Sequence, residues 1–430
     1  MMSKSSWGLL GPESLPGSRR VRTLGLGAVV RYFNDRAVPG LGGVWFGKQI
    51  ILALLGVHVA EQAGARNIEV ANAVEALACW LAFRDRDWAP DPRLRGNRKL
   101  RTREQIPFRA ARQRSFYVSQ PMRMATVQTL PALGLVDSRG VRFSSFSCTQ
   151  VGIDLLQAAT TAFRPYKRTV IDHLLLWIQG KENRVESVAF RETLSPVEPL
   201  PVAAAAILAD CLVRVGTHEK PEATNRRRDA LRWVESRRES RRVAPDVSVH
   251  WSSRPPEIGS EAHWLDLHAG SLFFTARDAA LDLLDALELR MPAERKLLLD
   301  EALVISLEPF IGKLRQAAQA FLELQHANSL ANDFCRECSG DDPLAILSSL
   351  VQRDNRVLRG QGTQILPGPA FRGGVISETE DAFDPDSANL LDDLGFPENI
   401  SQRIPNLYWL NLDLRGELGP YLANSKTERG

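Results

Sequence analysis

Three of the seven histidines in this 430-residue chain, His250, His263 and His268, fall within nineteen residues, beside Glu261 and Asp266. Imidazole and carboxylate groups are ligands for zinc and manganese. Glu261, His263, Asp266 and His268 are therefore the residues from which a metal-dependent, nuclease-like hydrolase would be assembled. The spacing speaks against it: His263 and His268 are five apart, which does not align them on one helix face, and the set fits no metal-binding pattern. Cys335-Arg336-Glu337-Cys338 is the second metal-like signature. A structural zinc site normally needs another pair, and Cys79, Cys148 and Cys211 are single and distant, so two free thiols at a helix end and no cofactor are expected. Gly25-Leu26-Gly27 and Gly40-Leu41-Gly42-Gly43 fit neither a phosphate loop nor a dinucleotide fingerprint, and Lys48 is followed by Gln49 rather than by a hydroxyl residue for Mg²⁺. With no G-x-S-x-G elbow and no local Cys–His pairing, nothing specifies a reaction, and a non-enzymatic role is expected.

Charge is more informative. The net charge is +3, but Arg84 to Arg114 holds eleven Lys/Arg against four Asp/Glu, and Arg214 to Arg242 holds ten against five. Ser377 to Glu398 holds eight acids and no base. The first basic block, with Arg98, Lys99, Arg101, Arg103, Arg109, Arg112 and Arg114, is a candidate phosphate-contacting surface, since each cation that meets a phosphate adds salt-sensitive affinity without reading bases. Phe116 and Tyr117 beside it either stack on bases or join the core. The second block, Arg226, Arg227, Arg228, Arg237 and Arg238, is interleaved with Asp229, Glu235 and Glu239, and i,i+3 or i,i+4 pairing would neutralise part of it. It reads as a solvated helix face or as a second phosphate track.

The elements that would carry these residues follow from periodicity and punctuation. Val44 to Gln62 is apolar almost all round and reads as a buried core helix; Lys48, Gln49 and His58 argue against a membrane span. Ile68 to Phe83 repeats apolar residues at helical spacing. Ser119 and Pro121 begin a helix with Met122, Thr126, Thr129, Leu130 and Leu133 inward, closed by Gly134. Leu135-Val136, the turn Asp137-Ser138-Arg139-Gly140 and the return strand Val141-Arg142-Phe143 then form a hairpin, and Thr149 caps a helix through Gln157. This order, over residues 98–163, resembles the winged-helix fold. The resemblance implies binding rather than catalysis, with Arg123, Gln128, Arg139 and Arg142 added to the contact set. Met124 and Val127 on the outer face, and Pro131 in the last turn, make base readout in the major groove a poor expectation.

Farther on, helices are expected at Val170 to Gln179, Pro201 to Val215 and, in part, Lys220 to Arg242. Three more are expected at Ser271 to Leu289, Pro292 to Leu307 and Pro309 to Asn328, with the two prolines at first-turn positions. Pro343 to Arg353 reads as a helix, followed by a hairpin about Gly360-Gln361-Gly362, an acidic linker, and a docking element at Ile404 to Leu414. The expected protein is mostly α with minor β. Its expected divisions are an N-terminal arm and helical unit (1–90), the winged-helix-like module (91–165), a helical domain (166–330) and a small α+β region (331–430). Five scattered cysteines and the lack of a secretory signal suit a cytoplasmic protein. The expected role is a DNA-binding or adaptor subunit that touches phosphates and joins other protein subunits, without a membrane. The alternatives are a docking scaffold in a multi-protein assembly, such as a bacterial phage-defence or mobile-element complex, and the metal-dependent hydrolase.

Overall fold

The computed structural model describes residues 22–140, 142–216, 219–243, 249–291, 296–371 and 394–427, without the side chains at 242–243 and 425–427. Helix accounts for 61% of the structure and strand for 4%, which establishes the mostly α class. Two compact units each combine separate stretches of chain: Tyr32–Gly270 with Thr379–Gly430, and Met1–Arg31 with Ser271–Glu378. Among the described residues no helix is long and apolar enough to cross a membrane.

The chain opens with α1 (Gly27–Ala37), α2 (Gly47–Ala63) and α3 (Asn67–Asp85). Residues 1–21 of the expected N-terminal arm lie outside the described residues; from Leu24 onward the chain is core, with Leu24, Leu26, Val29, Phe33, Val38, Leu41 and Val44 all buried, because an apolar residue at nearly every third or fourth position must be covered. In the larger unit α2 is enclosed on almost every side and packs along α3. A side-chain carbon on Gly56 would sit 2.5 Å from the Ala71 Cα, so only glycine permits this approach of the two backbones. Even Lys48 is buried, where its ammonium donates to the carbonyl oxygens of Thr193 (2.5 Å) and Glu192 (3.3 Å). Burial lowers its pKa to about 8.

Short pieces follow: α4 (Asn97–Arg101), α5 (Phe108–Ala111), α6 (Arg123–Thr126) and α7 (Thr129–Ala132). The antiparallel strands β1 (Val136–Ser138) and β2 (Phe146–Cys148) then lead into α8 (Gln150–Thr160). The winged-helix expectation is corrected here. The inward set Met122, Thr126, Thr129, Leu130 and Leu133 is buried and Gly134 takes a positive φ of 68°, as the pattern requires. The single exposed recognition helix, however, is replaced by two four-residue turns pressed against the chain near Gly43, whose N–H donates to Ala125 O (3.1 Å), while Thr129 Oγ1 donates to Leu41 O (2.6 Å). The return strand is Phe146–Cys148; of the expected Val141-Arg142-Phe143, Val141 lies outside the described residues and Phe143 opens a 3₁₀ segment. Asn67 Nδ2 donates to the carbonyls of Phe143 (3.2 Å) and Phe146 (2.8 Å), and both rings are buried, so the first of them turns into a 3₁₀ segment before the strand begins.

The larger unit continues through α9 (Val170–Ile178), α10 (Val188–Leu194), α11 (Val202–Val213) and α12 (Pro221–Val243), each within a few residues of expectation where one was made. Next comes α13 (Glu261–Leu289), ten residues longer at its start than the apolar pattern suggested. In the smaller unit the two helices expected about Pro309 are one, α14 (Glu301–Glu323), capped by Asp300, whose carboxylate accepts from Leu303 N (2.9 Å). Pro309 lies inside it on the exposed face, where water can meet the carbonyl it leaves unbonded. The pattern expected near Pro292 falls partly on residues 292–295, outside the described residues. With α15 (Ser329–Cys338) and α16 (Pro343–Asp354), α14 encloses a core around Phe273, Phe321 and Phe334. A three-stranded antiparallel sheet in the order β3 (Leu297–Leu298), β5 (Gln364–Pro367), β4 (Leu358–Gln361) contains the expected hairpin. Most of the acidic stretch, up to residue 393, lies outside the described residues. The chain ends in α17 (Arg403–Leu414), buried over nearly its whole length, and α18 (Leu418–Thr427), both in the larger unit.

Candidate nucleic-acid interface

The first basic block is held to the core by its apolar residues while its cations point outward. Leu100, Ile106, Phe108, Ala111, Tyr117 and Val118 are buried. Arg98, Lys99, Arg101, Arg103, Arg109, Arg112 and Arg114, which alternate with them, are all exposed. Two buried tryptophans fix the backbone between: Trp80 Nε1 on α3 donates to Arg103 O (3.0 Å), and Trp177 Nε1 on α9 donates to Ile106 O (3.1 Å). The Phe108 ring meets Trp177 edge-on at 5.4 Å. Gly96 begins the segment with φ 84°, passing so close to Tyr117 that a side-chain carbon would come within 2.9 Å of its ring.

Electrostatically the segment is under-compensated. Arg112 pairs with Glu69 at 3.2 Å, Lys99 Nζ donates to Ser115 O, and the Arg103 guanidinium lies over the Phe116 ring at 5.2 Å. Arg101, Arg103, Arg109 and Arg114 meet no carboxylate among the described residues. Arg139 and Arg142, near the hairpin turn, are likewise exposed. Phe116 is half-buried, and Tyr117 belongs to the interior, where its hydroxyl donates to Glu75 Oε2 (2.6 Å).

Two members of the expected contact set face inward instead. Arg123 Nε donates to Asn72 Oδ1 (2.7 Å) and its backbone N–H to Glu75 Oε1 (2.7 Å). Gln128 accepts from Arg403 Nη2 (2.7 Å). Glu75 is wholly buried, and that burial pushes its pKa up to about 7 against the lowering by Tyr117 and Arg123.

The second basic block is structural. Arg226 pairs with Asp266 at 2.6 Å, Arg227 is enclosed by Glu219 and the Leu212, Pro39 and Arg214 carbonyls, and Arg237 donates to Leu394 O (3.0 Å). Arg238 forks between Glu235 (2.7 Å) and Glu417 (3.1 Å). All four are buried; of this set only Arg228 is exposed. The carboxylates concerned include residues remote in sequence, which pattern alone could not reveal.

Nor do the metal candidates converge. Glu261 is exposed, Asp266 is committed to Arg226, His263 Nε2 lies 2.9 Å from Ala37 O, and His268 stacks on Trp251 at 4.9 Å. Burial lowers the pKa of both histidines. Cys335 and Cys338 are buried free thiols in the last turn of α15, the first pushed up to about 12 and the second higher still, again by burial. Among the described residues a different set gathers: His58 and Glu61 on α2 with Cys148 on β2, ligand atoms all within 4.8 Å. Sequence reasoning missed it, since its only local signal is a His-x-x-Glu pair on one helix face. No protein-family model, curated protein or solved structure matches the chain.

Proposed function

We propose that this protein is a non-enzymatic subunit of a reducing compartment that contacts nucleic acid through phosphates, using the basic segment 98–114, with Arg139 and Arg142 as further contacts. The observation that carries the reading is the exposure of seven cationic side chains on a backbone clamped by Trp80 and Trp177, four of them without a carboxylate partner among the described residues. Cations carried on a backbone already fixed release counterions from a polyanion without the cost of ordering that backbone. Arg123 and Gln128 face inward, so the contact carries no base readout, and affinity depends on charge density rather than on sequence. The five free cysteines support the reducing setting.

The test is binding to arbitrary duplex DNA across a salt series. Wild-type affinity is expected to fall steeply with salt. The triple variant Arg101→Ala/Arg109→Ala/Arg114→Ala is expected to bind every sequence more weakly and to lose about two to three from the slope of log K against log salt. A salt-independent response, or a triple variant that binds like wild type, would overturn the reading in favour of docking to a protein partner.

A further inference from the structure

We propose that His58, Glu61 and Cys148 form a binding site for a zinc-class divalent ion, with three protein ligands and a water or guest ligand in the fourth position. The three donors come from two elements that the fold holds in register. His58 and Glu61 are i,i+3 neighbours on the C-terminal part of α2, a helix immobilised by burial on its other sides. Cys148 ends β2, immediately before Thr149, whose side chain accepts from Gly152 N and caps α8. The Cys148 N–H donates to Glu61 Oε2 (3.3 Å), so strand and helix are already joined at this point.

The donor set is chemically selective. Thiolate and imidazole together favour zinc over magnesium or calcium, and a carboxylate as third ligand is within zinc's ordinary choice. The donor atoms lie within 4.8 Å of one another. Bond lengths of about 2.0–2.3 Å in a tetrahedral site place ligand atoms roughly 3.5 Å apart, so closing the set needs only small side-chain rotations. Glu61 is exposed and free to make them, and His58 and Cys148 are half-buried at the same edge. The Gln62 amide nitrogen donates to His58 Nε2 (2.8 Å), which fixes the ring's position on α2. The thiol donates a long hydrogen bond to the Leu54 carbonyl (3.8 Å), which it gives up when it loses its proton to an ion. An ion here would staple the hairpin to α2.

The experiment uses the full chain, stripped with a chelator and titrated with Co²⁺ as the spectroscopic probe. One equivalent is expected to bind, with a thiolate-to-cobalt charge-transfer band and the visible bands of a tetrahedral ion, displaced on adding Zn²⁺. Zn²⁺ is also expected to raise Tm, because an ion that binds only the folded chain stabilises it by mass action. Cys148→Ser is expected to abolish the charge-transfer band. Glu61→Gln, at an exposed position that leaves folding intact, is expected to weaken Co²⁺ binding about tenfold or more. No thiolate band in wild type, a band that survives Cys148→Ser, or unchanged affinity in Glu61→Gln would each overturn the proposal, the second by pointing to Cys335 and Cys338.

Discussion

Glu75 and Arg22 show how single ionisable groups set the conditions under which the protein holds together. An ordinary glutamate titrates near 4.5, but burial pushes Glu75 up to about 7. Between these values the folded chain keeps a proton that the unfolded chain has released, so stability is expected to fall as pH rises from about 4.5 to 7 and then to level off. Glu75→Gln should flatten that part of a Tm-against-pH curve, and identical curves for the two proteins would remove the assignment. In the smaller unit the buried side chain of Arg22 reaches three carboxylates: Asp285, Glu288 (2.7 Å) and Asp354 (3.1 Å). The last two are buried, so Arg22→Met is expected to cost about 3–5 kcal/mol by denaturant unfolding. A loss below about 1 kcal/mol would mean that water reaches those carboxylates.

Helices were legible in the sequence wherever apolar periodicity was long and uninterrupted, as in α2, α3, α9 and α16. The failures have physical causes. Proline was read as a start signal at Pro309, yet a proline on the exposed face of a long amphipathic helix is tolerated when the apolar face continues beneath it, here through Leu307, Ile311 and Leu314. The winged-helix order matches in its first strand and in the cap at Thr149 but not in its return strand, which lies farther on, nor in its long helix, because Pro131 and the hydrogen bonds from Gly43 and Thr129 favour two short turns. The first basic block was legible as a surface because its own apolar residues anchor it. The second was not, since Asp266, the Leu394 carbonyl and Glu417 lie 40, 157 and 179 residues from the arginines they meet. Two glycine substitutions test the packing directly. Gly56→Ala should destabilise by about 1–3 kcal/mol despite alanine's better helix propensity, because its methyl would meet the Ala71 backbone. Gly312→Ala in α14, with nothing within 4 Å, should instead stabilise by up to about 1 kcal/mol. Equal effects at the two positions would show that the approach of α2 to α3 is softer than described.

At the scale of the whole molecule, the larger unit is discontinuous. Its core includes α17, whose Leu407, Trp409 and Leu410 are buried, and α12 receives that end of the chain through Arg237, Arg238 and Glu235. A chain stopped before residue 394 would expose that surface and leave Arg237 and Arg238 without their distant partners. It is expected to lose near-ultraviolet circular dichroism and cooperative unfolding, and retention of both would show that α17 is an accessory. The two indole clamps on the basic segment have an optical consequence. Trp80 and Trp177 are completely enclosed, and each spends its one polar hydrogen on a carbonyl of that segment. Any guest that tugs on Arg103 or Ile106 perturbs the ground-state dipole of a fluorophore, so occupancy of the surface becomes readable as a shift in intrinsic emission, without a label.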